Sequence, residues 1–218
     1  MNVLKLRPPR RANEAVDTPL DGDEEALMIA AASQKLGELL DILKIDHRND
    51  HNTRDTPRRV AKMYVKELLR GRFSEPPQLT DFDNAEGFDQ LIVTGPIDIR
   101  SLCAHHLMPI YGHAFIGVLP AADGRIIGLS KYDRVVEHFA ARFQIQEELV
   151  KQIGDFLVER TRPRGLAIRI SAVHMCKTHR GVRASQASRM VNTALFGALR
   201  DDKSLKDEFL RECIALER

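Results

Sequence analysis

Residues 111–129 read Tyr-Gly-His-Ala-Phe-Ile-Gly-Val-Leu-Pro-Ala-Ala-Asp-Gly-Arg-Ile-Ile-Gly-Leu, and this stretch decides the fold class. From Tyr111 to Leu119, small, apolar and aromatic residues alternate with the two-residue period of a strand. Ala122-Asp123-Gly124 is turn chemistry, and an Asp-Gly pair between two apolar runs predicts a hairpin into Ile126-Ile127-Gly128-Leu129. Upstream, Leu91-Ile92-Val93 and Ile97-Asp98-Ile99 read as strand interrupted at Gly95-Pro96. Downstream, Ser130 is placed to cap a helix through Val135, Val136 and Phe139, and a second helix carries Leu149, Ile153, Phe156 and Leu157. Leu166-Ala167-Ile168-Arg169-Ile170 is a further strand, Met190–Leu199 fits strand or helix by pattern alone, and Lys203–Leu216 is an amphipathic helix. Strands, then two helices, then strands again make an α+β domain built on a mostly antiparallel sheet.

Outward from this domain the pattern changes. Residues 1–22 are rich in Pro, Arg, Asn and Asp without hydrophobic period, which predicts a disordered tail. From Asp23 the spacing becomes helical, with Leu36, Leu39, Leu40 and Leu43 on one face. After a polar loop, Asp55-Thr56-Pro57 predicts a capped helix start, with Val60, Met63, Tyr64 and Leu68 following and Gly71 as the stop. The expected organisation is therefore a tail over 1–22, a helical region over 23–88 and an α+β domain over 89–218.

Composition narrows the classes of function. The 218 residues are 43% hydrophobic and 29% charged, with a formal net charge of +2, as in an ordinary globular protein rather than a nucleic-acid binder. No apolar run is long enough to span a bilayer, and the basic start lacks the apolar segment of a secretory signal. Three cysteines, an odd number, suit a reducing compartment better than a disulfide framework, so a cytoplasmic protein is expected. Cys213, within the C-terminal helical pattern, reads as a small semi-buried packing residue.

The other two cysteines carry chemistry. Cys103-Ala104-His105-His106 is answered by His174-Met175-Cys176, each cluster following a predicted strand. Cys103, His106 and Cys176 make two thiolates and one imidazole, and three protein ligands rather than four are the pattern of a catalytic zinc with an open position. His105 and His174 stand beside the ligands without needing to bind metal, where an imidazole can move protons near neutral pH. Ser130-Lys131-Tyr132-Asp133-Arg134 at a helix start, Arg180-Gly181-Val182-Arg183, and Pro57-Arg58-Arg59-Val60-Ala61-Lys62 supply cations suited to phosphate. Gln146-Glu147 at another helix start offers an amide and a carboxylate that can pair with the edge of a guanine.

Ser-Leu-Cys-Ala-His-His at 101–106, Gly-Leu-Ser-Lys-x-x-Arg at 128–134, Gln-x-Gln-Glu at 144–147, His-x-Cys-x-x-x-Arg-Gly-Val at 174–182 and Thr-Pro-Arg-Arg-Val-Ala-Lys-Met at 56–63 together resemble GTP cyclohydrolase I, over roughly residues 25–215. The resemblance implies a tunnelling fold, an antiparallel sheet with helices on one side, with an N-terminal helical extension. It implies a homodecamer of two pentamers, with active sites between subunits, and GTP as the substrate. It further implies conversion of GTP and water to 7,8-dihydroneopterin triphosphate and formate, at the start of folate or tetrahydrobiopterin synthesis. By motif position, Cys103, His106 and Cys176 hold Zn2+, His174 protonates the purine at N7, and His105 is its proton-handling companion. Gln146 and Glu147 read the guanine, and Lys131, Arg134 and Arg180 grip the triphosphate with Ser130 near ribose or phosphate. Arg59 and Lys62 reach the phosphates from a neighbouring subunit.

One position departs from the family pattern. Ala104 stands where the family usually has glutamate, which removes a carboxylate beside the metal ligands but no ligand. Two other readings share part of the pattern: a non-catalytic pterin- or nucleotide-binding relative, and a cyclohydrolase serving a deazapurine pathway. Neither a regulatory partner nor the downstream pathway is written in the motifs.

Overall fold

The structure, a computed structural model, describes residues 9–217; residues 1–8 of the expected tail lie outside them. The chain divides after Glu75 into a smaller N-terminal unit and a larger unit that begins at Pro76.

In the N-terminal unit, helix α1 (Gly22–Ile42) starts with a reciprocal cap. The Asp21 carboxylate accepts from the Glu24 amide at 2.8 Å, and the Glu24 carboxylate accepts from the Asp21 amide at 3.3 Å. Residues ahead of it, expected to be disordered, gather on Arg72, whose guanidinium donates to the carbonyls of Arg11, Ala12 and Glu14. A planar cation with several N–H groups can organise a segment that has no hydrophobic period. Leu36 and Leu40 turn inward, while Leu39 and Leu43, predicted to share their face, stay exposed with Ile42.

Helix α2 (Thr56–Met63) has proline in its first turn as predicted. Asp55 is not a side-chain cap, because its own backbone is already helical, and it forms an i,i+4 ion pair with Arg59 at 3.6 Å instead. A π-helical turn, Tyr64–Leu68, and helix α3 (Arg70–Phe73) follow. Gly71 therefore does not end the helical region: it is buried inside α3.

The larger unit is built on two sheets. Strand β1 (Asp81–Asp83) is followed by β2 (Ile92–Cys103), β3 (Pro109–Leu119) and β4 (Arg125–Ile127). Then come α4 (Ser130–Ala140), β5 (Phe143–Gln144), α5 (Gln146–Thr161), β6 (Gly165–His174) and α6 (Met175–Thr178). The chain ends with β7 (Met190–Gly197), α7 (Ala198–Asp201) and α8 (Lys203–Leu216). The main sheet has the order β5-β2-β3-β6-β7, antiparallel except for the short parallel β2–β5 pair. The fold is thus mixed α+β, and Met190–Leu199, ambiguous by pattern, resolves as an edge strand leading into a short helix.

The Asp123-Gly124 turn exists, with the Gly124 amide on the Ala121 carbonyl at 3.0 Å, but it does not make the predicted hairpin. Both edges of β3 are already taken, by β2 on one side and β6 on the other, so β4 has no place on it. Strand β4 pairs with β1 instead, and Arg125 bridges the carboxylates of Asp81 and Asp83. This pairing is why the larger unit starts well before residue 89. Gly95-Pro96 does not end a strand either: β2 continues through it with a register shift. A Cβ on Gly95 would stand 2.5 Å from the Phe115 ring, at a φ of +149° that side chains rarely adopt.

Alternation along the strands sorts residues to two faces. Ile97, Ile99, Ala114, Ile116, Val118, Leu166, Ile168 and Ile170 meet α4 and α5 in the main core. Phe115, Leu119 and Ala167 point the other way and meet Leu199, Phe209 and Cys213 of α7 and α8. Helices therefore cover part of both faces, not one, which is why β3 is buried on both faces from Ala114 to Leu119. Phe209 is fully buried and fills the space over Gly117, where a Cβ would lie 2.5 Å from its ring. Phe209→Ala is expected to cost about 3–5 kcal/mol, read as a lowered Tm and as faster amide exchange in α8.

Candidate metal centre and active site

Strand pairing brings the two Cys/His clusters to one rim of the sheet. Ile110 on β3 is opposite Ser101 of β2 on one side and His174 of β6 on the other. The end of β2 at Cys103 and the end of β6 at His174 therefore lie on either side of the same strand. A tight loop returns β2 into β3, with the Cys103 amide on the Met108 carbonyl and the Leu107 amide on the Cys103 carbonyl, both at 2.8 Å. Leu107 adopts a φ of +56° in that loop, and Ala104 donates its backbone N–H to the Gln144 carbonyl at 3.0 Å. Strand β5 pairs Cys103 with Gln144, whose amide nitrogen donates to the Phe139 carbonyl and the Gln152 side chain. The first ligand is thus held by a strand on each side. Past His174 the chain turns directly into α6, which carries Cys176.

Cys103, His106 and Cys176 each offer one ligand atom, and these atoms all lie within 4.8 Å of one another. Two ligands on one tetrahedral zinc with sulfur at 2.3 Å would be about 3.8 Å apart, so small side-chain movements suffice. Burial, reinforced by the adjacent Cys103 sulfur, pushes the Cys176 thiol above its usual value. A divalent cation would favour the thiolate form that ligation requires, against the burial that disfavours it at Cys176. The donor set fits zinc. Cys213, by contrast, is fully buried and its thiol is pushed up to about 12, in keeping with a packing role.

Around the three ligands, the structure gathers several of the predicted residues. His105 is exposed, with Nδ1 3.7 Å from the Cys103 sulfur. Arg180 is exposed and donates from Nη1 to Nε2 of His106 at 2.9 Å. His174 is half-buried; burial lowers its pKa, while the Glu147 carboxylate raises it and Lys177 lowers it further. Glu147 is exposed at the start of α5, free for a ligand to reach.

Gln146 is different. Its side chain is 1% exposed, with the amide nitrogen donating to the carbonyls of Ile170 and Met190 and the oxygen 2.7 Å from His174 Nε2. Both N–H groups of that amide are committed to backbone carbonyls. Nothing in the Gln-x-Gln-Glu spacing signals the contact with His174, which joins residues 28 apart in sequence.

Ser130, Lys131 and Arg134 stand on the first turn and a half of α4. Ser130 is not the cap: Leu129 already has helical angles, and the Lys131 and Tyr132 amides bond to Gly128 and Leu129. Lys131 is half-buried and Arg134 exposed; among the described residues neither shares a hydrogen bond or ion pair with the metal group. Arg59 and Lys62 are exposed on α2, in the N-terminal unit.

Comparison with known proteins points the same way. The sequence model for GTP cyclohydrolase I matches residues 32–214. A protein named GTP cyclohydrolase 1 from Shewanella denitrificans is 40% identical over 176 residues, covering 80% of this chain and 79% of the relative. Another of that name from Maricaulis maris is 40% identical over 159 residues, covering 72% and 76%. Among solved structures, an archaeosine synthase QueF-Like in the apo form aligns with 56% of this chain and 97% of its own, at 10% identity and a TM-score of 0.36. No helix among the described residues is long and apolar enough to cross a membrane.

Proposed function

Because the chain belongs to the GTP cyclohydrolase I family and is a hydrolase of that type, we propose that it is a zinc enzyme converting GTP and water to 7,8-dihydroneopterin triphosphate and formate. The observation that carries this reading is the convergence of Cys103, His106 and Cys176 beside the proton carriers His105 and His174. Zinc on those three residues would supply a Lewis acid and an acidified water for attack on the purine ring.

The chain's own residues would do the rest. Glu147, exposed and charged, is suited to accept the N–H and amine donors of a guanine edge, and its carboxylate also favours the protonated form of His174. His174 would deliver that proton to N7 as the ring opens, with His105 handling protons beside it. Lys131, Arg134 and Arg180 would neutralise the triphosphate, with Ser130 near ribose or phosphate. A neutral imidazole has one lone pair, and in His106 that pair accepts from Arg180. Arg180 must therefore release His106 once the ring becomes a ligand, and its guanidinium is then free for a phosphate.

Arg59 and Lys62 would reach the phosphates from a neighbouring subunit, in a homodecamer of two pentamers with the tunnelling fold. The proposed role is cytoplasmic, at the head of folate or tetrahydrobiopterin synthesis. Incubating zinc-loaded protein with GTP tests the proposal: formate and the absorbing dihydropterin chromophore should appear in equal amounts, and the absence of both would contradict it.

Ala104 bears on the same site. It contributes only its backbone N–H, to Gln144, and removes no ligand. Ala104→Glu is expected to change turnover at saturating zinc by less than about threefold, with any benefit appearing as tighter metal binding. A large gain in turnover at saturating zinc would show that the missing carboxylate acts in the chemistry.

A further inference from the structure

The buried amide of Gln146 has only one way to satisfy its partners. Two backbone carbonyls, Ile170 at 3.2 Å and Met190 at 2.9 Å, face one end of it, and carbonyls only accept. That end must therefore be the nitrogen, which turns the amide oxygen toward His174 at 2.7 Å. An amide oxygen cannot donate, so the His174 Nε2 must carry the hydrogen. A neutral imidazole has one protonated nitrogen, which leaves its lone pair on Nδ1.

The carbonyls of Ile170 and Met190 come from neighbouring strands, β6 and β7, in the register that pairs Ala172 with Met190. The sheet thus sets the amide, and the amide sets the ring. We propose that Gln146 is a positioning residue that holds His174 as the Nε2–H tautomer, leaving Nδ1 as the nitrogen that exchanges a proton with substrate. Recognition of the base then falls to the exposed neighbour Glu147 and not to Gln146. The catalytic part of this assignment rests on the reading of His174 as a proton carrier; the tautomer does not.

Solid-state NMR on protein labelled with 15N-histidine reads the tautomer directly, with the His174 signal identified by its loss in His174→Asn. The wild-type signal should show a protonated Nε2 and an unprotonated Nδ1. In Gln146→Leu it should divide between the two tautomers. With GTP, Gln146→Leu should lower kcat by about 10- to 100-fold, the usual penalty for losing a group that orients a functional histidine, and leave KM within about threefold. A wild-type His174 protonated on Nδ1 overturns the assignment, and so does a Gln146→Leu enzyme with raised KM and unchanged kcat. Should Gln146→Leu fail to fold, the wild-type spectrum still decides, because it reports the tautomer without any variant at residue 146. A wild-type Nε2–H signal in protein that never turns over GTP would uphold the tautomer and sink the cyclohydrolase reading.

Discussion

Cys176→Ala is expected to remove stoichiometric zinc and to lower turnover of GTP by at least about a thousandfold. The size follows from what a bound metal contributes to charge stabilisation, several kcal/mol, at about 1.4 kcal/mol per tenfold in rate. Two ligands cannot replace three here, because Cys103 and His106 lie on one tight loop and Cys176 closes the set from the opposite strand end. Cys213→Ala is the control: that thiol is buried on the far face of the sheet, and metal content should not change. Metal analysis of the two variants beside wild type checks both expectations. Full zinc in Cys176→Ala would move the centre elsewhere.

His174→Ala separates chemistry from metal binding. Loss of a positioned general acid lowers rates by about a hundredfold to ten thousandfold, and kcat should fall within that range. Zinc content should be unchanged, since His174 is outside the set of three ligands. GTP should still bind, because the groups suited to its base and phosphates, Glu147, Lys131, Arg134 and Arg180, are other side chains. Single-turnover kinetics and equilibrium binding of GTP measure the two quantities independently. Weakened binding with turnover intact would make His174 a binding group.

The candidate metal group was legible in the sequence because its chemistry is written in residue type. Cysteine beside histidine, twice, after two strand-like runs, leaves few other uses, and the ladder through Ile110 brings the two runs to one rim. Gln146 was not legible. An amide can donate or accept at either end, and only the carbonyls of Ile170 and Met190 decide which way it faces.

The fold divides in the same way. Strand character over Tyr111–Leu119 and Leu166–Ile170 is local, carried by alternation, and it emerges in β3 and β6. Which strands pair is a matter of occupancy: Asp123-Gly124 is a sound turn, but β3 has no free edge to offer β4. Asp55 and Ser130 have capping chemistry, yet a cap needs an extended residue at the helix entrance, and the angles of Asp55 and Leu129 are already helical. The burial of Phe209 against Gly117 is likewise invisible from either residue alone.

Titrating zinc back into metal-free protein while measuring formate release from GTP tests the central claim most directly. Turnover should be absent without metal, rise in proportion to bound zinc, and level off at one zinc per chain. Turnover by metal-free protein at the fully loaded rate would contradict a zinc centre at Cys103, His106 and Cys176.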